Sequence, residues 1–123
     1  MARVVLDSSV LIALISPKDH HHQTVLSSLT AKHQYAISAL TLTEALIAPN
    51  RLSASAGQQM LTAIKKSIHE VVDINSEIAV LAAQLRANTK ISLPDALISA
   101  TATATTAQLW TCDKALGLSL IHI

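Results

Sequence analysis

The sequence predicts an α/β fold in which a central, mainly parallel sheet of four to five strands is covered by helices on both faces. Short runs rich in Val, Ile and Leu alternate along the 123 residues with longer segments of helical periodicity. Half of the residues are hydrophobic but only 2% are aromatic, which indicates a core of aliphatic side chains. No repeat, linker or change of composition divides the chain, so we expect residues 1–123 to form a single domain.

The N-terminal part of the chain is predicted to form two strands separated by helical segments. Residues 4–7 are an apolar run typical of a buried strand, and a short helical segment follows through Leu14 to a turn at Ser16–Pro17. Residues 20–33 have the character of a helix, and Tyr35–Ser38 that of a second strand.

The middle of the chain is predicted to form two helices and a third strand. A helix over residues 40–48 is expected to stop at Pro49–Asn50, because proline disrupts a helix interior. An amphipathic helix follows over residues 55–68, and Glu70–Ile74 is a strand. The apolar face of the second helix consists of Met60, Leu61, Ile64 and Ile68.

The C-terminal part continues the alternation. Residues 76–88 carry apolar side chains at the i, i+3, i+4 and i+7 positions of a helix, and Pro94 begins another helix through about Thr105. Leu109–Cys112 is predicted as a fourth strand, and Ser119–Ile123 is the candidate for a fifth.

Composition and charge limit the classes of protein to which the chain can belong. The formal net charge of +1 is too close to neutral to predict nucleic-acid binding from overall charge, so such a substrate would need a local patch. No apolar run approaches the roughly 18 residues that span a bilayer, and Asp7 interrupts the N-terminal apolar segment before a signal peptide could form. The single cysteine, Cys112, fits a reducing compartment. We therefore expect a soluble, cytoplasmic protein without a membrane partner.

Four of the eight acidic residues stand in apolar surroundings: Asp7, Glu44, Asp95 and Asp113. Buried carboxylates are costly unless they are paired, hydrogen-bonded or bound to a metal. Asp7 and Asp113 lie at the carboxyl ends of predicted strands, where ligands of parallel sheets bind. Oxygen ligands suit Mg²⁺ and Mn²⁺, and such cations support phosphodiester hydrolysis. Together, the four acids favour a metal-dependent hydrolase.

Each acid taken alone also has a structural explanation. Asp7 could accept hydrogen bonds from backbone amides of the following turn. Thr41 and Glu44 have the spacing of a capping box, and Asp95 falls in a first helical turn, where the helix dipole stabilises negative charge. Asp113 could cap a short helix.

The ordered set of motifs D-S-S, T-x-x-E, L-P-D-A-L-I-S-A-T-A and L-W-T-C-D-K resembles the PIN domain, and more narrowly the VapC-type toxins of toxin–antitoxin pairs. The resemblance implies a PIN-like α/β/α sandwich and an endoribonuclease that uses one or two Mg²⁺ or Mn²⁺ ions. It also implies a homodimer and a VapB-type antitoxin that covers the active site. By motif position, the metal ligands and catalytic acids would be Asp7, Glu44, Asp95 and Asp113, supported by Ser9 and Thr111.

Basic residues near these motifs are the candidates for contacts with RNA phosphates. We select Arg86 and Lys90, which precede Asp95, and Lys114, which follows Asp113. For any one of them taken alone, a solvated surface role is favoured.

Other interpretations of the sequence are weaker. The run His20–His22 could bind a transition metal, but adjacent helical residues point in different directions. Cys112 lies in an apolar strand, which is typical of packing rather than nucleophilic catalysis. The alternatives for function are a catalytically silent PIN-like module that binds RNA or protein and, less favoured, a small metal-dependent phosphatase.

Overall fold

The computed structural model of the chain describes residues 2–29 and 32–112. Its centre is a four-stranded sheet in which every neighbouring pair is parallel, in the order β3-β2-β1-β4. The strands are β1 (Ala2–Leu6), β2 (His33–Ser38), β3 (Glu70–Val72) and β4 (Gln108–Trp110). The predicted α/β class with a parallel sheet is confirmed, and the fifth strand proposed at 119–123 lies outside the described residues.

Six helices occur within the described residues: α1 (Ser8–Ile15), α2 (His22–Ser28), α3 (Ala39–Leu52), α4 (Ala54–Ser67), α5 (Ser76–Asn88) and α6 (Leu93–Ala104). The predictions for α4, α5 and α6 agree with the structure to within one residue at each end. None of these helices combines the length and apolar character that a membrane crossing requires.

The helices cover both faces of the sheet, because successive residues of a strand point to opposite sides. On one face, Val4 and Leu6 pack in a cluster with α1, α2 and α4, whose buried members are Val10, Leu11, Val25 and Ile64. On the other face, Val5 packs with Ile98 and Ala102 of α6, and α5 in turn packs against α6. The layered arrangement fixes where the loops at the carboxyl ends of the strands meet.

The predicted stop at Pro49 is wrong, because α3 continues to Leu52. A proline removes the hydrogen bond that its own backbone N–H would donate, and its ring crowds the preceding turn, but here only three helical residues follow it. The Pro49 carbonyl still accepts a hydrogen bond from the backbone N–H of Ser53 at 3.2 Å, and the side chain of Asn50 donates to a carbonyl of the preceding turn. These two hydrogen bonds stabilise the last turn of α3 after the proline.

The helix predicted over residues 20–33 is shorter than expected and is limited to α2. The carboxylate of Asp19 accepts a hydrogen bond from the backbone N–H of His21 at 2.8 Å, which holds the residues before α2 in a turn. At the other end, Leu29 is extended, and β2 already begins at His33.

Strands β1, β2 and β4 begin one or two residues earlier than predicted, and three strands also end earlier. Asp7 is not part of β1, because it turns the chain into α1. Thr111 and Cys112 follow β4 rather than belonging to it, since β4 pairs with β1 only as far as Leu6. The third strand ends at Val72 and not at Ile74.

Candidate metal centre

Buried polar residues concentrate at the carboxyl edge of the sheet. Asp7 follows β1, Ser38 ends β2, Thr41 lies in the first turn of α3, and Thr111 follows β4. The other buried polar residue of the described chain, Thr101, lies within α6. Burying polar groups is costly unless they are hydrogen-bonded, so the partners of these residues decide which of their atoms can bind a ligand.

Asp7 joins β1 to α1 and is only 6% exposed. Its Oδ1 atom accepts a hydrogen bond from the backbone N–H of Val10 at 3.0 Å and another from the hydroxyl of Ser9 at 2.5 Å. Asp7 is therefore the N-cap of α1, as one explanation of the sequence predicted. Its Oδ2 atom accepts no hydrogen bond from the described residues, which leaves one carboxylate oxygen available.

Glu44 does not complete a capping box with Thr41, so that prediction is wrong. The chain passes directly from β2 into α3, and Ser38 is the N-cap, with its Oγ accepting from the backbone N–H of Leu40 at 3.1 Å. Glu44 consequently lies in the second turn of α3, beyond the reach of the helix start. Its Oε1 atom instead accepts a hydrogen bond from the hydroxyl of Ser8 in α1, at 2.8 Å.

Asp95 is the third residue of α6, so its predicted place in a first helical turn is confirmed. The hydroxyl of Ser92, the N-cap, accepts a hydrogen bond from the Asp95 backbone N–H at 3.3 Å. The Asp95 carboxylate is half-buried and makes no hydrogen bond or ion pair with the described residues. It is therefore free to take a ligand.

The three acids share one cavity of about 180 Å³, although they come from α3, α6 and the β1–α1 junction. Its lining consists of Asp7, Ser8, Ser9, Glu44, Pro94, Asp95 and Ile98. No lysine, arginine or histidine lies among these residues. The cavity is therefore acidic and lacks a protein cation among the residues that line it.

Three of the residues that line the cavity were not predicted from the sequence as part of the site. Pro94 and Ile98 form an apolar wall on α6, and Ser8 contacts Glu44. The D-S-S motif was visible, but the partner of Ser8 is 36 residues away along the chain. Only the crossing of α1 and α3 brings the pair together.

The segment after β4 approaches the cavity from the side of Ser9. The backbone N–H of Cys112 donates a hydrogen bond to the Ser9 hydroxyl at 2.9 Å, and Thr111 is fully buried beside β4. Burial raises the pKa of the Cys112 thiol, the contact with Ser9 lowers it, and the negative charge of Asp7 raises it further. Asp113, which comes next in the chain, lies outside the described residues, as does Lys114.

Arg86 and Lys90, the two described residues among those selected for RNA contacts, do not line the cavity. Arg86 donates a hydrogen bond from Nη1 to the carbonyl of Ile91 at 2.8 Å and thereby holds the loop between α5 and α6. Lys90 in this loop is exposed and has no hydrogen bond or ion pair within the described residues.

The chemistry of the acids fits a hard divalent cation. Carboxylate oxygens are the ligands that Mg²⁺ and Mn²⁺ prefer, and Mg²⁺ keeps several waters and needs few protein ligands. Within residues 2–29 and 32–112, however, no three His, Cys, Asp or Glu side chains lie close enough together to hold an ion by themselves, the run His20–His22 included. The donor set therefore fits the cation in type, and waters would have to complete the coordination of an ion held there.

Comparisons with known proteins agree with this architecture. The sequence model of the PIN domain family matches residues 4–117. A toxin–antitoxin complex from Klebsiella pneumoniae contains a chain of 27% identity and TM-score 0.75, with 90% of this chain and 87% of that chain covered. No curated protein matches the sequence.

Two further solved structures are similar in fold at lower identity. VapBC2 from Rickettsia felis, bound to a DNA fragment from its promoter, has 20% identity and TM-score 0.74 over 97% of this chain and 96% of that chain. VapC20 of Mycobacterium tuberculosis, a toxin that cleaves the sarcin–ricin loop, has 18% identity and TM-score 0.72 over 98% and 99%.

Proposed function

Because this chain belongs to the PIN domain family, we propose that it is a Mg²⁺- or Mn²⁺-dependent endoribonuclease and the toxin of a VapBC-type toxin–antitoxin pair. The observation that carries the proposal is the cavity that Asp7, Glu44 and Asp95 line together. Like-charged carboxylates in one small cavity repel each other unless a cation neutralises them. We further propose that residues 1–123 form one such domain and that it acts in the cytoplasm.

In this proposal, Asp7, Glu44, Asp95 and Asp113 hold one or two cations, and Ser9 and Thr111 support them. A bound divalent cation would polarise the RNA phosphate and favour ionisation of a nearby water. Asp7 offers the oxygen that does not cap α1, and Glu44 offers the oxygen that does not contact Ser8. Asp95 offers both oxygens, and one of them could orient the attacking water.

RNA phosphates would be bound beside the cavity by basic residues. Lys90 is the best supported candidate, because it is exposed and lies on the loop that leads into α6 and Asp95. Arg86 would act mainly by holding that loop through Ile91, and Lys114 follows Asp113 in sequence. Selectivity would depend on RNA shape, since the chain has only one Trp and one Tyr for base stacking.

An antitoxin partner has a suitable surface next to the acids. The chain that is 27% identical to this one was solved in a toxin–antitoxin complex. Here an apolar groove of about 740 Å³ runs between α1, α3 and α4, and Glu44 lines both this groove and the acidic cavity. Leu52 in the groove is 83% exposed, which is unusual for a large apolar side chain. We propose that an apolar segment of a VapB-type antitoxin fills the groove and covers the acids, and that the toxin itself is a homodimer.

The decisive experiment is a cleavage assay on total RNA, with sequencing of the ends, in Mg²⁺ or Mn²⁺ and in EDTA. The parent protein should cut RNA only with the metal, and Asp95→Asn should abolish cutting. Asp73→Asn is the matched control, because Asp73 is exposed, follows β3 and does not line the cavity. A parent that cuts no RNA, or an Asp95→Asn variant as active as the parent, would refute the proposal.

The same assay separates the two alternative functions. A silent module would bind RNA or protein in EDTA and cleave RNA in no divalent metal. A phosphatase would hydrolyse phosphomonoesters rather than RNA. The acidic cavity favours the nuclease over the silent module, because a binding module has no need for three carboxylates without a protein cation.

A further inference from the structure

Two adjacent serines at the start of α1 contact different acids of the cavity. Ser9 donates to Asp7, the residue that precedes it by two positions, and accepts from the backbone of Cys112. Ser8 donates to Glu44 Oε1 at 2.8 Å and so connects α1 to α3. The second contact is not required by local chain geometry.

The Ser8 hydroxyl is the polar group that holds Glu44 in the described part of the chain. Glu44 lies on the exposed side of α3, in the middle of the helix, where neither a cap nor a first-turn amide reaches it. No ion pair of Glu44 occurs within the described residues, and the ion pair found there joins Arg3 to Glu70. A glutamate side chain has several free torsions, so without Ser8 it would sample many positions around the cavity.

We propose that Ser8 is a positioning residue that fixes one oxygen of Glu44 and leaves the other for a divalent cation. This inference rests on the proposed function. Outer groups of this kind typically set the orientation of metal ligands and thereby the metal affinity. Ser8 would do for Glu44 what Ser9 does for Asp7, so consecutive residues of one helix would orient two ligands from different elements.

The test is the affinity of the RNA-free protein for Mn²⁺, measured by titration calorimetry, together with the cleavage rate. Ser8→Ala should weaken Mn²⁺ binding by about tenfold, in the range usual for loss of an outer-shell partner. Ser8→Thr keeps the hydroxyl and should restore binding close to the parent. Ser27→Ala is the control, because the Ser27 hydroxyl makes an exposed hydrogen bond to the Thr24 carbonyl at 3.1 Å on α2, outside the cavity lining.

A double-mutant cycle shows whether Ser8 acts through Glu44. Added to Glu44→Gln, the Ser8→Ala change should cause little further loss of Mn²⁺ affinity, because the carboxylate it positions is already gone. Additive losses, or a Ser8→Ala variant that binds Mn²⁺ as tightly as the parent, would overturn the inference. A loss of RNA affinity with unchanged Mn²⁺ affinity would also overturn it, since Ser8 would then contact substrate.

The outcome is distinct from failure of the proposed function. If the parent itself neither binds Mn²⁺ nor cleaves RNA, both proposals fail. If the parent does both and Ser8→Ala matches it, only the role of Ser8 is wrong. Circular dichroism checks that Ser8→Ala is folded, which we expect because alanine is well tolerated in a helix.

Discussion

Substitutions of Asp7 can separate its role in folding from its proposed role in metal binding. One oxygen, Oδ1, accepts hydrogen bonds from Val10 N–H and the Ser9 hydroxyl, and Oδ2 accepts none from the described residues. Asp7→Ala removes both oxygens. Asp7→Asn keeps an oxygen acceptor of the same shape and removes the charge. The two variants should therefore differ in stability and agree in activity.

The expected change in the free energy of unfolding follows from the two hydrogen bonds. Loss of a helix N-cap costs about 1 kcal/mol, and loss of the Ser9 contact costs roughly another 1 kcal/mol. Asp7→Ala should thus lose about 2 kcal/mol, which lowers Tm by about 8 °C for a chain of this size. Asn is nearly equivalent to Asp as an N-cap, so Asp7→Asn should stay within about 1 kcal/mol of the parent.

The cleavage rate should not distinguish the two variants, because both lose the negative charge of Asp7. A bound cation contributes several kcal/mol to the transition state, and each 1.4 kcal/mol or so is a factor of ten. We therefore expect both variants to lose about 100-fold or more in cleavage rate, while thermal unfolding in EDTA distinguishes them. An Asp7→Asn variant that cleaves like the parent would refute the metal role of Asp7. An Asp7→Asn variant as unstable as Asp7→Ala would refute the idea that Oδ1 caps α1 while Oδ2 is left for the cation. Asp73→Asn is the control in both assays.

Other predictions test the metal, the thiol and the groove. Mn²⁺ at about 100 times its Kd should stabilise the parent by about 2.7 kcal/mol, or about 10 °C in Tm, and should not stabilise Asp7→Asn; an unchanged Tm of the parent would contradict cation binding. Cys112→Ala should cleave RNA like the parent. In EDTA at pH 8, the Cys112 thiol of the folded parent should react with a disulfide reagent more slowly than the thiol of the urea-unfolded chain, because burial raises its pKa and only the thiolate reacts. Equal reaction rates would refute this. Because the Cys112 pKa is higher in the folded than in the unfolded chain, the free energy of unfolding falls as pH rises above the ordinary pKa of a thiol, where the unfolded chain loses the thiol proton first. Leu52→Asp should weaken antitoxin binding by about tenfold or more, whereas Val80→Asp, which is also exposed but lies on α5 outside the groove, should not.

Elements with strong periodicity were predicted well, and those that depend on tertiary context were not. Helix α5 was predicted with its observed ends, because its apolar stripe is a local signal. The end of α3 was missed, because the sequence shows the proline but not that its carbonyl and Asn50 both hold the last turn. The boundary of β4 depends on where β1 stops, and that in turn depends on Asp7.

The acids of the cavity were selected from the sequence by their apolar surroundings. The sequence could not decide, for each acid, between a capping role and a role in metal binding. The spacing of Thr41 and Glu44 matches a capping box, but spacing alone does not show where the helix begins. The structure excludes that box, because Ser38 caps α3 one turn earlier. Ser8 carried no signal of its own, since the crossing of two helices determines its partner.

Capping and metal binding are often treated as competing explanations of one aspartate, and Asp7 indicates why they need not compete. The carboxyl end of a parallel strand is both the place where the next helix needs a cap and the place where ligands reach the sheet. A carboxylate has two oxygens, and at Asp7 the cap occupies one of them. The hydrogen bonds to Val10 and Ser9 hold the side chain in place before any ion enters, which lowers the entropic cost of binding. Capping would therefore be part of how the proposed site is pre-organised, and Ser8 would extend the same principle to Glu44.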